Sequence, residues 1–124
     1  MIYVDGEEPS ESAILEWDKL VVGAARKVGK EPCPGPSLAD WVRDAGLRNI
    51  THRTFRIPIG VWPDDRQLQE IGLLYLGQTL DGLEGFSLRL MCDVLGWQVG
   101  DVQKLLAKVR MELLSGRQRL YMNL

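Results

Sequence analysis

Apolar residues recur at Ile14, Trp17, Val21, Ala24 and Val28, intervals of three and four that place them along one side of a helix. That helix is predicted from Glu11 to Val28. Ser10 is its expected N-cap, Glu11 supplies a carboxylate to the first turn, and Gly29 ends it. Three prolines between Glu31 and Pro36 then enforce a loop. A second, shorter pattern, Leu38, Trp41, Val42 and Ala45, predicts a helix over Leu38 to Ala45 with these four on its buried face. Ser37 and Asp40 form its expected capping box, and Gly46 closes it.

From Leu47 to Ile57 the helical period disappears and β-branched residues are frequent, which predicts a strand. Ile50, His52, Thr54 and Arg56 share one face, Thr51, Arg53, Phe55 and Ile57 the other, and Pro58 is expected to stop the pairing. A long helix should follow Asp65, with Leu68, Ile71, Leu74 or Tyr75, and Gln78 or Thr79 along one side. Gly72 and Gly77 would let another element approach it closely, whereas Gly82 and Gly85 should bend or split it. Phe86 to Leu95 continues the helix and Gly96 ends it. A last helix over about Gly100 to Leu114 aligns Val102, Leu105, Leu106, Val109 and Leu113, and Gln118 to Leu124 reads as an extended tail. The pattern gives a mainly α (α+β) chain, one domain over residues 1–124, with helices packed against one or two short strands.

Composition narrows the chemistry. A net charge of −2 without a concentrated basic face argues against a nucleic-acid partner. No apolar run is long enough to span a bilayer and no signal peptide is evident, so a reducing cytoplasmic setting is the expectation. One histidine and two widely separated cysteines, Cys33 and Cys92, give no metal-ligand spacing. No glycine-rich strand-to-helix turn is present for a nucleotide, so no cofactor is expected to bind this chain alone. His52 is a candidate general acid or base, although a half-exposed strand residue is the plainer reading. Asp18, Glu70, Asp81, Glu84 and Asp93 read as solvated or capping carboxylates, with Glu84 singled out by its place between two glycines. The aromatic residues, Trp17, Trp62 and Phe86 among them, fit a core or the walls of an apolar pocket.

Several blocks carry a resemblance. Ile-Pro-Ile-Gly-Val-Trp-Pro from Ile57, Glu-Ile-Gly-Leu-Leu from Glu70, Leu-Glu-Gly-Phe-Ser-Leu from Leu83 and Val-Leu-Gly-Trp from Val94 occur in order. Ala-Ala-Arg-Lys-Val-Gly from Ala24 precedes them, and Leu-Leu-Ala-Lys-Val-Arg from Leu105 follows. Together they resemble the C-terminal part of fungal class I S-adenosylmethionine-dependent methyltransferases of secondary metabolism. The resemblance implies the last strands of the sheet and the helices over the acceptor-substrate pocket. It also implies a remnant fold, truncated and without the cofactor-binding half, whose exposed strand edge and helix faces need covering. A homodimer is the expected cover.

Three functions follow from that resemblance. The first is a cofactor-independent cyclase, isomerase or pericyclase of a natural-product pathway, folding an apolar small molecule in the old acceptor pocket. His52, Tyr75, Glu84 and Arg89 are its candidate catalytic groups, and Trp17, Arg53, Trp62 and Phe86 its candidate substrate contacts. The alternatives are a non-catalytic pseudo-methyltransferase that docks on another pathway protein, and one half of a split methyltransferase.

Overall fold

The computed structural model describes residues 1–124. Its elements in chain order are β1 (Ile2–Val4), α1 (Ala13–Lys27), α2 (Gly35–Asp44), β2 (Arg56–Ile59), α3 (Arg66–Leu88), a π-helical turn (Arg89–Val94), α4 (Val99–Ser115) and β3 (Leu120–Asn123). The chain is mainly helical, with one three-stranded sheet in the order β1-β3-β2 and both pairings antiparallel. No helix is long and apolar enough to cross a membrane.

The stripe expected on α1 is buried at Ile14, Trp17 and Ala24. It packs with Leu83 and Met91 and with Val102, Leu105, Leu106, Val109 and Leu113 of α4 in one core. The inner face of the sheet closes that core through Ile2, Ile59 and Leu120. α1 starts two residues later than expected: Ser12, not Ser10, is its cap and accepts the Leu15 amide at 3.3 Å. On the outer face of the sheet Tyr3 and Tyr121 stack with ring centroids 5.4 Å apart, and the Arg56 guanidinium lies 4.8 Å above the Tyr121 ring.

The sheet departs from expectation in a physically simple way. Only Arg56 to Ile59 is strand, and residues 47–55 are irregular, because β3 is four residues long and its register with β2 runs out at Asn123 opposite Arg56. One further pair, Phe55 with Leu124, exchanges two backbone hydrogen bonds of 2.8 Å. That pair sets the phase of the ladder. Ile57 and Ile59 face β3, while Pro58 directs its missing donor outward, so it sits inside the strand opposite Tyr121 instead of ending it. β1 was not expected, and the tail of the chain, foreseen only as extended, supplies the central strand.

Two helical expectations also change. α2 opens at Gly35 after Pro34, with a proline in its first turn and no side-chain cap. Asp40 is turned to Arg43 at 2.7 Å, and no residue of α2 is buried, so the face of Leu38 and Trp41 lies open. α3 runs unbroken through Gly82 and Gly85. Gly82 makes room for the Phe86 ring one turn on, where a Cβ would lie 2.5 Å from Cε2. The irregularity falls later, where Leu95 donates to the Leu90 carbonyl five residues back.

Gly72 meets the expectation of close approach. Its carbonyl accepts the Gly60 amide at 2.9 Å, and a Cβ there would stand 1.9 Å from the Gly60 oxygen. Gly77 has nothing within 4 Å of such a Cβ. Gly72→Ala is expected to lower stability by about 1–3 kcal/mol through overpacking. Gly77→Ala, in an exposed helix interior, should raise it by up to about 1 kcal/mol. Urea unfolding of both variants measures the contrast.

Candidate functional site

Two concavities bear on function, and helix ends shape both. The larger, about 700 Å³, lies over the start of α1 and is lined by charged residues including Glu8, Glu16, Lys19, Lys108 and Glu112. A helix N-terminus leaves several amides unpaired and attracts an anion. Here Glu112 of α4 already fills that place: its carboxylate accepts the Ala13 amide at 2.7 Å, the Ile14 amide at 3.1 Å and the Ser12 hydroxyl at 3.0 Å. The groove is therefore built around an internal ion that ties α4 to α1, and its amides are not free for a ligand.

The smaller concavity, about 290 Å³, is mostly apolar. Ile59, Trp62, Leu76, Leu113 and Leu120 line it, where the end of β2 meets α3 and the end of α4. Trp62 is fixed at its rim because its Nε1 donates to the Leu120 carbonyl at 2.8 Å. Such a cleft can hold a small apolar group, with Gln118 and Glu112 as its polar margin.

Of the eight residues singled out in the sequence, Trp62 alone lines either concavity. Trp17 is a core residue, its Nε1 donating to Ser87 Oγ at 2.6 Å, and Ser87 in turn donates to the Leu83 carbonyl at 2.5 Å. The Tyr75 hydroxyl donates to Met122 Sδ at 3.1 Å, which pins α3 to the central strand. Glu84 is exposed and pairs with Arg110 at 3.6 Å. His52 and Arg53 lie in the irregular exposed stretch before β2, and Arg89 is exposed at the start of the π-helical turn. Phe86 is exposed beside Gly82. No group of three or more His, Cys, Asp or Glu side chains is placed to hold a metal ion.

The sequence reading missed Asp18, Ser87 and Glu112. Asp18, expected to be solvated, is buried, and its Oδ2 accepts the Ile2 amide at 3.1 Å. Burial raises its pKa, opposed by that hydrogen bond and by the positive chain terminus nearby. The available signal was positional: Asp18 follows Ile14 by four residues, on the flank of the apolar stripe. Glu112 had no local signal, since its partners are about a hundred residues away.

Known proteins give the following likenesses. The chain is 37% identical over 108 residues, 87% of its length, to the methyltransferase pytC of Aspergillus terreus, of which the match covers 33%. It is 30% identical over 112 residues to the probable methyltransferase tdiE of Emericella nidulans, covering 90% of this chain and 35% of that one. The secondary metabolism regulator laeA of Gibberella zeae is 26% identical over 121 residues, 97% of this chain and 38% of the relative. The chain thus spans about a third of the length of the curated relatives it matches. No family model and no solved structure matches it.

Two variants test the site's anatomy. Glu112→Ala should lower stability by about 1–2 kcal/mol, the loss expected when a helix N-terminus is left uncapped. Differential scanning fluorimetry against a change at an exposed loop carboxylate, Glu7→Ala, measures it. Asp18→Asn keeps an acceptor for the Ile2 amide without the buried charge. Because the folded pKa of Asp18 lies above its ordinary 3.8, the folded state holds its proton longer, and the native protein loses stability as pH rises from 3.8 through that raised value. The Asn variant lacks that loss. Its stability relative to the native protein should therefore rise from pH 3.5 to pH 7, and a flat difference would contradict the burial argument.

Proposed function

We propose, from the homology of this chain to about a third of the fungal secondary-metabolism methyltransferases, that it is the acceptor-side part of a methyltransferase of that kind. In this reading it works only against a cofactor-binding part, in the same or another polypeptide. The observation that carries the proposal is α3. Of its 23 residues only Gly72, Leu83 and Ser87 are buried, and Leu73 and Leu74 are more than half exposed. α2 buries nothing at all, with Leu38 and Trp41 exposed. Helices of this apolar content need a layer on them. In pytC about two thirds of the chain lies outside the matched segment and is available to supply it.

In this reading the chain does not hold S-adenosylmethionine alone, because its first strand-to-helix passage, from β1 to α1, ends on amides that Glu112 occupies. Cofactor binding therefore falls to the other part. This chain contributes helices and the Trp62 cleft to the place where an acceptor would lie.

A cofactor-independent cyclase or isomerase is the second reading, supported by the Trp62 cleft itself, which is apolar and already formed. It assigns the chemistry to His52, Tyr75, Glu84 and Arg89, with Trp17, Arg53, Trp62 and Phe86 as substrate contacts. Only Trp62 of that set faces the cleft, so the methyltransferase reading has the stronger geometric support. A second copy of the chain is the competing cover for α2 and α3.

Replacing the matched segment of pytC by this chain gives the decisive protein. The chimaera is expected to bind S-adenosylmethionine by calorimetry, while the isolated chain binds none. Three results would overturn the proposal: a chimaera that fails to assemble, a closed homodimer in light scattering that covers α2 and α3, or turnover of a pathway intermediate by the isolated chain.

A further inference from the structure

Seven of the eleven residues around the Trp62 cleft are apolar, so its selectivity depends on the few polar groups at its margin. Most of these are already engaged. The Trp62 indole hydrogen goes to the Leu120 carbonyl at 2.8 Å, and the Gly60 amide to the Gly72 carbonyl at 2.9 Å. Glu112 lines both this cleft and the groove over α1, but its carboxylate holds the Ala13 and Ile14 amides and the Ser12 hydroxyl. Its charge sits at the positive end of α1 and needs no counter-ion from a ligand. No other ionisable side chain lines the cleft.

Gln118 is different. Its Nε2 lies 3.4 Å from Ser12 Oγ and 3.5 Å from the Glu112 carboxylate, at the limit of a hydrogen bond. Its Oε1 lies 3.4 Å from the same Ser12 Oγ. Ser12 has one hydroxyl hydrogen, and Glu112, at 3.0 Å, takes it. Gln118 Oε1 is thus left without a donor. A half-buried carboxamide therefore stands at the margin of an apolar cleft with a free acceptor and a weakly held donor side by side.

The complement of such a carboxamide is a group that also carries a donor and an acceptor side by side. A secondary amide held cis, as in a lactam ring, has that edge. A ketone or a tertiary amide meets only half of it, and a cation finds no free carboxylate. We propose that the Trp62 cleft takes a neutral, flat, apolar ring bearing a lactam edge, with the ring against Trp62, Leu76 and Leu113 and the edge paired with Gln118. The inference rests on reading this cleft as the place of an acceptor, and adds which kind of acceptor enters it.

Proton–nitrogen NMR of the isolated chain tests this with carbostyril, a flat bicyclic lactam, and N-methylcarbostyril, in which the donor is blocked. Trp62→Phe identifies the Trp62 indole signal among those of the four tryptophans. Carbostyril is expected to shift that signal and the Gln118 carboxamide pair, and to bind at least about tenfold more tightly than its N-methyl derivative. Gln118→Leu keeps the cleft apolar and removes the pairing edge, so the two probes should then bind within about twofold of each other. Equal affinities for the native chain would overturn the proposal. So would shifts confined to the groove over α1, tighter binding of the N-methylquinolinium cation, or no binding of carbostyril at about 1 mM. Should Gln118→Leu fail to fold, the probe ratio on the native chain decides alone. Without the lactam preference, a pytC chimaera that binds S-adenosylmethionine leaves the functional reading standing and this inference overturned. A chimaera that does not assemble overturns that reading, while the probe ratio on the isolated chain still decides the ligand of the cleft.

Discussion

The contact on which the rest of the architecture depends is the approach of Gly72 to Gly60, where the backbone of a helix meets the backbone of a strand end. No side chain separates them, so α3 lies directly on β2 and its direction is fixed by the sheet. From that seat α3 carries Leu83 and Ser87 under α1, and Ser87 receives the indole hydrogen of Trp17. α4 then fills the remaining side with Val102, Leu106 and Val109. The same closeness crowds the end of the β2 edge, where the Gly60 amide is already donated to α3.

Polar groups inside this protein serve the joining of elements distant in sequence. Glu112 binds the start of α1 from the far end of the chain, Asp18 holds the first strand, and Tyr75 and Trp62 each reach β3. Each of these buried or half-buried groups is satisfied, and no buried side-chain nitrogen or oxygen lacks a partner. The ion pairs, by contrast, lie on the surface, such as Arg66 with Glu70, and contribute little.

What the sequence disclosed follows the range of the interaction involved. The stripes of α1 and α4 were legible because burial repeats every three or four residues and is recorded locally. The role of Gly72 was legible too, since a glycine inside a helix invites a close neighbour. Residues 47–55 read as a strand from their β-branched content, but a strand exists only where another can pair with it, and β3 ends too soon. Pro58 misled for the same reason: its effect depends on which way the ladder turns it. Gly82 and Gly85 were read by propensity alone, whereas packing of Phe86 over Gly82 lets α3 continue. Of the site, Trp62 was found by its chemistry and the cleft around it was not, because its walls come from β2, α3, α4 and β3.

The strand in the middle of the sheet is the last element of the chain. β1 and β2 do not touch each other, and both wait for residues 120–123 before either has a neighbour. During synthesis α3 and the π-helical turn can gather early, being neighbours along the chain, whereas α1 must wait for α4. The sheet cannot form until β3 has been made, and it must then close a loop of more than a hundred residues onto β1. Until that moment β1 has no partner strand within residues 1–124. Of the three strands, the one made last is thus the one on which the other two depend.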